Sequence, residues 1–171
     1  MITLVLGGTR SGKSEVAERL AGAGGRPITY VATAHVDPHD ADHVDRIARH
    51  RDRRPAHWST VECPEPAALP DVLRRTAGVV LVDSLGTWLT GHHDLRPEPA
   101  PLLDALAARA DDTVVVSEEV GLAPHAPTEV GRAFADQLGL LNQQVAAVAG
   151  RAVLVVAGRL LELGSPAEPP C

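Results

Sequence analysis

The chain of 171 residues contains a single lysine, Lys13, which lies in the segment Gly7–Ser14 with the sequence GGTRSGKS. The apolar run Ile2–Leu6 precedes this segment, and the helix-like stretch Glu15–Leu20 follows it. The spacing matches G-x-x-x-x-G-K-[S/T], in the strand–loop–helix context that a phosphate-binding loop (P-loop) requires. Glycines allow backbone N–H groups to converge on a phosphate without clashes from Cβ atoms. The segment therefore predicts a site for a nucleoside triphosphate, and the alternative is a chance glycine-rich turn before a helix.

Two side chains of this P-loop have predicted roles in chemistry. Lys13 carries a compact ammonium that can reach the β- and γ-phosphate oxygens, and Ser14 carries a hydroxyl that can bind Mg²⁺. We therefore predict a catalytic role for Lys13 and a metal-binding role for Ser14. The predicted nucleotide contacts in the loop are Gly7, Gly8, Thr9, Arg10, Ser11, Gly12, Lys13 and Ser14.

Length and charge limit the classes of protein to consider. A chain of 171 residues is sufficient for one core, so we predict a single nucleotide-binding domain over residues 1–163 and a flexible, Pro-rich tail over residues 164–171. The net charge of −6 argues against a general nucleic-acid-binding protein, which usually has a basic surface. No apolar run approaches the ~18 residues needed to cross a bilayer, and no signal peptide fits the start. We expect a cytoplasmic protein without a membrane span.

Short apolar runs alternate with helical patterns along the chain. Several runs are continuously apolar, as in parallel strands buried on both faces. This alternation predicts an α/β fold with an open, mainly parallel sheet flanked by helices. A final antiparallel edge strand is predicted over Arg159–Leu163. The predicted strands are Ile2–Leu6, Ile28–Thr33, Trp58–Glu62, Val79–Asp83, Thr113–Ser117 and Ala152–Ala157. The predicted helices are Lys13–Ala23, His39–Arg51, Glu65–Thr76, Pro101–Arg109 and Thr128–Ala149.

Polar residues end most of these strands, and in such a sheet ligands bind at the carboxyl ends of the strands. Asp83 follows four apolar residues, which is typical of the acid on the Mg²⁺ side of a P-loop enzyme. We predict that Asp83 binds the metal with Ser14; the alternative is an Asp that caps a helix. Glu118 and Glu119 end another strand, and one of them could take the proton from an accepting hydroxyl. Their alternative role is a helix cap or a structural ion pair.

The segment Arg46–Pro55 carries five arginines around one histidine, His50. Guanidinium groups match phosphate oxygens, so a bound polyphosphate would explain this density of arginine in an acidic protein. Neighbouring cations disfavour the protonated imidazole, and a neutral ring nitrogen can attack an α-phosphorus and hold a nucleotidyl group. The alternatives are a solvated basic helix face, or His57 as the nucleophile.

Several segments together resemble one known family. They are the P-loop with its Gly-Gly start, the stretch Arg46–Glu62, the run Val79–Leu85, Glu119–Gly121, and Gly131–Asp136 with Asn142 and Gln143. This pattern is similar to the bifunctional adenosylcobinamide kinase / adenosylcobinamide-phosphate guanylyltransferase family of cobalamin biosynthesis. The similarity is collinear from about residue 2 to about residue 160.

The resemblance implies a RecA-like P-loop fold, a homotrimer and two activities. A kinase step would move the γ-phosphoryl group of ATP or GTP to adenosylcobinamide. A second step would transfer GMP from GTP, through a guanylyl-histidine, to adenosylcobinamide phosphate. His50 stands at the position of the guanylylated histidine, and the resemblance favours Glu119 as the catalytic carboxylate. At or beside nucleotide-contacting positions of the family lie Thr33, Arg51, Arg54, Glu62 and Asp83.

Two departures from the family pattern concern the specificity for the corrinoid, the substrate that accepts the transferred groups. Glu118 stands where relatives often carry Asn, and Ala123–Val130 is a variant of the loop that approaches the corrinoid. Two other functions remain open at this point. One is a small-molecule kinase without guanylyltransferase activity, and the other is a RecA-like nucleotide-driven switch.

Overall fold

The computed structural model describes residues 1–34, 54–122 and 126–164. Within these ranges the chain forms seven strands and five α-helices, with one 3₁₀ turn at Pro66–Ala68. The strands are β1 (Ile2–Gly7), β2 (Ile28–Ala32), β3 (Ser59–Glu62), β4 (Val79–Asp83), β5 (Thr113–Glu118), β6 (Arg151–Val156) and β7 (Arg159–Leu163). The helices are α1 (Lys13–Gly22), α2 (Leu69–Arg75), α3 (Leu85–Thr90), α4 (Ala100–Ala107) and α5 (Glu129–Val148).

All seven strands belong to one sheet, in the order β3-β2-β4-β5-β1-β6-β7. Every neighbouring pair is parallel except β6 and β7, which are antiparallel. Ala157 and Gly158 join these two strands with φ angles of 51° and 74°, values typical of a tight type I′ hairpin turn. The α/β fold with a mainly parallel sheet and an antiparallel edge strand is therefore confirmed.

Successive residues of each strand point to opposite faces, and each face has its own apolar core. In β1, Leu4 and Leu6 pack into the cluster covered by α2, α3, α4 and α5. Val5 packs on the opposite face, against Val16 and Ala17 of α1. Because both faces are buried, the central strands are continuously apolar. This arrangement places the P-loop, which joins β1 to α1, at the carboxyl edge of the sheet.

Two helical predictions need correction. The helix predicted over Glu65–Thr76 starts with the 3₁₀ turn and becomes α-helical only at Leu69. Helix α3 was not predicted from the sequence. Ser84 caps it, because its hydroxyl accepts the N–H of Thr87 while the Thr87 hydroxyl accepts the N–H of Ser84. The helix predicted over His39–Arg51 lies outside the described residues, as does the predicted tail over residues 164–171 apart from residue 164.

Arg109 holds the amino edge of the sheet together. Its guanidinium donates to the carbonyl oxygens of Leu73, Thr76 and Gly78 over 2.5–2.7 Å, and its Nε donates to the hydroxyl of Thr113 over 2.8 Å. Leu73 and Thr76 lie within and at the end of α2, Gly78 directly precedes β4, and Thr113 is the first residue of β5. Burial lowers the pKa of Arg109 from its ordinary value, because desolvation disfavours the charged guanidinium.

Arg109→Ala is therefore expected to lower the free energy of unfolding by about 3 kcal/mol, since three carbonyl groups lose a charged donor. Urea denaturation measures this difference. The matched control is Arg75→Ala, which removes an exposed arginine from the last turn of α2 and should change stability by less than about 0.5 kcal/mol. Equal stability of the two variants would contradict this role for Arg109.

Candidate nucleotide-binding site

The P-loop has the backbone of a phosphate cradle. Arg10 and Gly12 have positive φ angles of 57° and 90°, so the chain curls back between β1 and α1. Only a glycine adopts the second value without strain. The Ser11 N–H donates to the Gly8 carbonyl over 3.2 Å, which closes the curl. The first turn of α1 follows directly, and the N–H groups at a helix N-terminus favour an anion at this position.

The hairpin between β6 and β7 supports the P-loop from outside. The Gly158 N–H donates to the Ser11 carbonyl over 2.7 Å. A Cβ on Gly12 would lie 3.2 Å from the Gly158 Cα, so the two backbones are in close contact. A Cβ on Gly7 would lie 2.9 Å from the Val155 carbonyl oxygen. The edge hairpin thus fixes the shape of the loop, and both glycines are required by this packing.

Lys13 is held inside the site rather than extended into water. Its side chain is 13% exposed, and its Nζ lies 3.6 Å from Glu118 Oε1 and 3.4 Å from the Gly8 carbonyl oxygen. Glu118, which is 27% exposed, belongs to β5, the strand next to β1. The P-loop cation therefore has a carboxylate partner on the neighbouring strand.

Glu118 and Glu119 point in different directions. Glu118 Oε2 accepts the Gly86 N–H over 3.1 Å, and both of its carboxylate oxygens lie 3.1–3.2 Å from the Ser84 hydroxyl. Glu119 instead accepts the Gly121 N–H over 2.8 Å and lines a cleft of about 370 Å³ beside Gly8–Ser11 and the end of β6. The prediction that Glu119 is the catalytic carboxylate stays untested, but Glu118 is the one that contacts Lys13.

Asn142 of α5 holds the end of β5 in place. Its side-chain nitrogen donates to the Glu118 carbonyl over 3.0 Å, and its oxygen accepts the Ser117 hydroxyl over 2.6 Å. Both side chains are buried. These bonds fix the backbone from which Glu118 projects.

Asp83 ends β4, and its carboxylate accepts the phenol hydroxyl of Tyr30 over 2.5 Å. The helix cap that follows is Ser84 rather than Asp83, so the alternative of a capping Asp is excluded. Thr33 is 2% exposed, and its hydroxyl donates to the Ser84 carbonyl and accepts the Ser84 N–H. In this structure Thr33 holds the turn after Asp83; its predicted contact with a nucleotide stays a prediction.

Arg54 and Glu62 lie farther along the sheet edge from the P-loop. Arg54 stacks on the ring of Tyr30, with 3.4 Å between its guanidinium carbon and the ring centroid. Tyr30 belongs to β2, three strands or roughly 14 Å from β1, and Glu62 ends β3, which is roughly 19 Å from β1. Tyr30 thus connects Arg54 with Asp83. His50 and Arg51 lie outside the described residues.

The residues predicted to bind Mg²⁺ fit that ion. Ser14 and Asp83 supply the hard oxygen donors that Mg²⁺ prefers, and Mg²⁺ in phosphate sites usually takes only one or two protein ligands. In the described ranges, no group of three or more His, Cys, Asp or Glu residues could hold a metal ion by itself. A phosphate-bound Mg²⁺ is therefore the kind of metal site that these side chains can support.

Comparison with known proteins agrees with this geometry. A family model described as cobinamide kinase / cobinamide phosphate guanyltransferase matches residues 3–163. The chain belongs to this family. It is 41% identical over 176 residues to the bifunctional adenosylcobalamin biosynthesis protein CobP of Pseudomonas aeruginosa, covering 97% of this chain and 99% of the relative. It is 33% identical over 178 residues to CobU of Salmonella typhimurium, a bifunctional adenosylcobalamin biosynthesis protein. That alignment covers 92% of this chain and 97% of the relative.

Solved structures show the same fold at low sequence identity. A KaiC-like protein of Pyrococcus horikoshii superposes with a TM-score of 0.50 and 14% identity, covering 90% of this chain and 71% of that one. An ATPase from a bacterial type III secretion system superposes with a TM-score of 0.53 and 9% identity. The match covers 90% of this chain and 50% of the ATPase chain. These likenesses confirm the P-loop, RecA-like fold. The described helices include none with both the length and the apolar character needed to span a bilayer.

The sequence did not single out Tyr30, Ser84 or Gly86, although each contacts a predicted site residue. Tyr30 lies within strand β2, and no sequence motif beside it indicates a functional role. Ser84 carries a weak signal, because Ser84 and Thr87 form a capping box in which Thr replaces the usual Glu or Gln. In the sequence Gly86 indicates only a weak helix former, and its contact with Glu118 becomes visible in the folded chain.

Tyr30 is the only tyrosine of the chain, so its ionisation can be followed alone. Burial, followed by the charge of Asp83, raises the pKa of Tyr30 far above its ordinary value. We expect the folded protein to show no tyrosinate absorbance at about pH 10, where the urea-unfolded chain is half ionised. Because the folded pKa is raised, the stability that this group contributes is present below about pH 10 and is lost at higher pH.

The measurement is a near-ultraviolet titration of folded and unfolded protein, with circular dichroism to show that the fold persists. Tyr30→Phe, which keeps the ring under Arg54, is the control for absorbance from other groups. A folded-state titration at the ordinary tyrosine pKa would contradict the buried Tyr30–Asp83 bond.

Proposed function

We propose that this chain catalyses both reactions of its family on one P-loop. In the first, the γ-phosphoryl group of ATP or GTP moves to the hydroxyl of adenosylcobinamide. In the second, His50 attacks the α-phosphorus of GTP, pyrophosphate leaves, and the GMP held on His50 passes to adenosylcobinamide phosphate. The product is adenosylcobinamide-GDP.

The observation that carries this proposal is the P-loop lysine held beside a carboxylate at the carboxyl edge of the sheet. Lys13 lies 3.6 Å from Glu118, and the P-loop backbone curls around the space that a triphosphate requires. The match of residues 3–163 to the cobinamide kinase / cobinamide phosphate guanyltransferase family supports the choice of acceptor. Since both reactions consume nucleoside triphosphates, we place the protein in the cytoplasm.

Charge compensation is the main contribution of the protein to both reactions. Lys13 and the P-loop N–H groups bind the phosphate oxygens. Mg²⁺ held by Ser14 and Asp83 would neutralise charge on the transferring phosphoryl group. The Tyr30 hydroxyl orients the Asp83 carboxylate, and Arg54 stacks on a face of the Tyr30 ring. Arg54 and Arg51 are candidates for binding the remaining phosphates of GTP.

The guanylyl-histidine is the most specific part of the proposal and can be tested directly. Incubation with α-labelled GTP and Mg²⁺ should add one GMP to the wild-type protein, through an acid-labile and alkali-stable bond. His50→Ala should abolish this adduct because it removes the attacking nitrogen, whereas His57→Ala should keep it. Mass spectrometry of the intact and digested protein measures both outcomes.

A control with γ-labelled GTP should leave no label on the protein. An adduct that persists in His50→Ala and disappears in His57→Ala would assign the nucleophile to His57. Transfer of γ-phosphate to adenosylcobinamide without any GMP adduct would show a kinase alone.

We also propose a homo-oligomer, a trimer by family resemblance, that uses the β7 edge of the sheet. Strand β7 is exposed over all five of its residues, and among the described residues no strand pairs with its outer edge. Leu161, which is 58% exposed, is accompanied by exposed Leu160 and Leu163. An apolar edge strand of this kind favours pairing with another chain.

Leu161→Glu is expected to lower the oligomeric mass measured by light scattering after gel filtration, because a buried interface would receive an unpaired charge. The matched control is Leu140→Glu, which places the same charge at a leucine of α5 that is 53% exposed. An unchanged mass in Leu161→Glu, or a monomeric wild type, would exclude β7 as the interface.

A further inference from the structure

The carboxylate of Glu118 lies beside the P-loop lysine and is surrounded by hydrogen-bond donors. It lies at the end of β5, between the P-loop strand β1 and the Asp83 strand β4. Its oxygens contact Lys13 Nζ, the Ser84 hydroxyl and the Gly86 N–H. These three partners come from α1, from the residue after β4 and from α3. All three are hydrogen-bond donors, so the carboxylate is oriented by the elements that surround the nucleotide site.

Two further features show that the local structure is shaped around this carboxylate. Gly86 has no Cβ, and a Cβ there would overlap Glu118 Oε2. Asn142 donates to the Glu118 carbonyl and so holds the end of β5. The absence of a Cβ at Gly86 leaves room for the carboxylate, and Asn142 holds the strand end from which Glu118 projects.

The position of Lys13 places Glu118 next to the reacting phosphate. In a P-loop site the lysine binds the β- and γ-phosphate oxygens, and Glu118 Oε1 is 3.6 Å from that ammonium. An attacking hydroxyl must approach the γ-phosphorus on the side opposite the β-phosphate, in line with the bond that breaks. We propose that Glu118 accepts the proton of this hydroxyl during the kinase step, an inference that rests on the proposed function.

Glu119 is the alternative carboxylate, and the two carboxylates have different partners. Glu118 is the last residue of β5, and its carboxylate contacts Lys13. Glu119 lies beyond the strand and lines the cleft beside Gly8–Ser11. Its carboxylate accepts the Gly121 N–H in a local turn. The structure therefore assigns the contact with the P-loop cation to Glu118.

The chemical step balances without a further reactant. The hydroxyl proton moves to Glu118 while the alcohol oxygen bonds to the γ-phosphorus. The bond from the γ-phosphorus to the β–γ bridging oxygen breaks, and the nucleoside diphosphate leaves with that electron pair. Glu118 then releases the proton to solvent.

Nucleotide binding changes the partner of Lys13. Without nucleotide, the ammonium lies against Glu118; with nucleotide, phosphate oxygens compete for the same cation. The carboxylate also repels the triphosphate, because two negative charges lie within a few ångströms of one cation. Removal of the Glu118 charge should therefore strengthen nucleotide binding while it slows proton transfer.

The test compares Glu118→Gln with the wild type in three measurements. We expect the rate of γ-phosphoryl transfer from ATP to adenosylcobinamide to fall by about 100-fold to 10,000-fold, the usual contribution of a general base. We expect a non-hydrolysable ATP analogue to bind roughly fivefold more tightly or better. The GMP adduct formed from GTP should persist at the wild-type level, since its formation needs no acceptor hydroxyl.

Three other variants test whether the effect is specific to the Glu118 carboxylate. Glu118→Asp keeps the carboxylate on a shorter side chain and should recover part of the transfer rate. Glu98→Gln makes the same charge change at an exposed loop position and should match the wild type. Glu119→Gln tests the competing carboxylate, and retention of transfer in that variant supports the assignment to Glu118.

A transfer rate in Glu118→Gln within about threefold of the wild type would overturn the proposal and leave the proposed function intact. Loss of transfer together with weaker nucleotide binding and loss of the GMP adduct would indicate a structural role and would also overturn it. A wild-type protein that forms the adduct but phosphorylates no adenosylcobinamide would remove the kinase half of the proposed function, and this proposal with it.

Discussion

The ion pair between Lys13 and Glu118 connects the P-loop to the rest of the sheet edge. It joins α1 to β5, and through Ser84 and Gly86 it also reaches the end of β4 and the start of α3. An ion pair that is largely removed from water is retained at a net cost unless other donors also satisfy the carboxylate, and here two further donors do so. The hairpin turn at Gly158 holds the P-loop from the opposite side. The cation is therefore kept in place before any nucleotide arrives.

The proposed function assigns two regions of the site to the two reactions. The first contains the P-loop, Glu118 and Asp83. The second contains Arg54, which stacks on Tyr30 of β2 and belongs to the Arg-rich segment Arg46–Pro55, in which His50 also lies. Tyr30 lies between them, because its ring contacts Arg54 and its hydroxyl binds Asp83. Tyr30 is therefore a buried side chain that contacts both Arg54 and Asp83.

The sequence predicts most of this fold because its central strands are largely apolar and polar residues end or follow most of them. It also predicts the P-loop between a strand and a helix, and it places Asp83 at the end of β4. The sequence does not show which of the two carboxylates, Glu118 or Glu119, contacts Lys13. A strand buried on both faces carries no alternation of polar and apolar residues, so Val114–Val116 does not reveal which face holds α1. Only the packed structure shows that Glu118 contacts Lys13, whereas Glu119 lines the cleft beside Gly8–Ser11. Helix α3 escaped prediction because its six residues are too few for a periodic pattern, and Gly86 is a poor helix former.

The two reactions place opposite demands on the same triphosphate. Transfer of the γ-phosphoryl group needs a proton acceptor at the far end of the nucleotide, whereas attack by a neutral histidine at the α-phosphorus needs none there. A carboxylate beside the γ-phosphate would help the first reaction and, through charge repulsion, weaken binding in both. The hydrogen bonds from Ser84 and Gly86 limit this penalty, because they spread the negative charge of Glu118 over fixed donors. One fixed carboxylate can therefore serve the kinase step while the second step proceeds at a different phosphorus of the bound GTP.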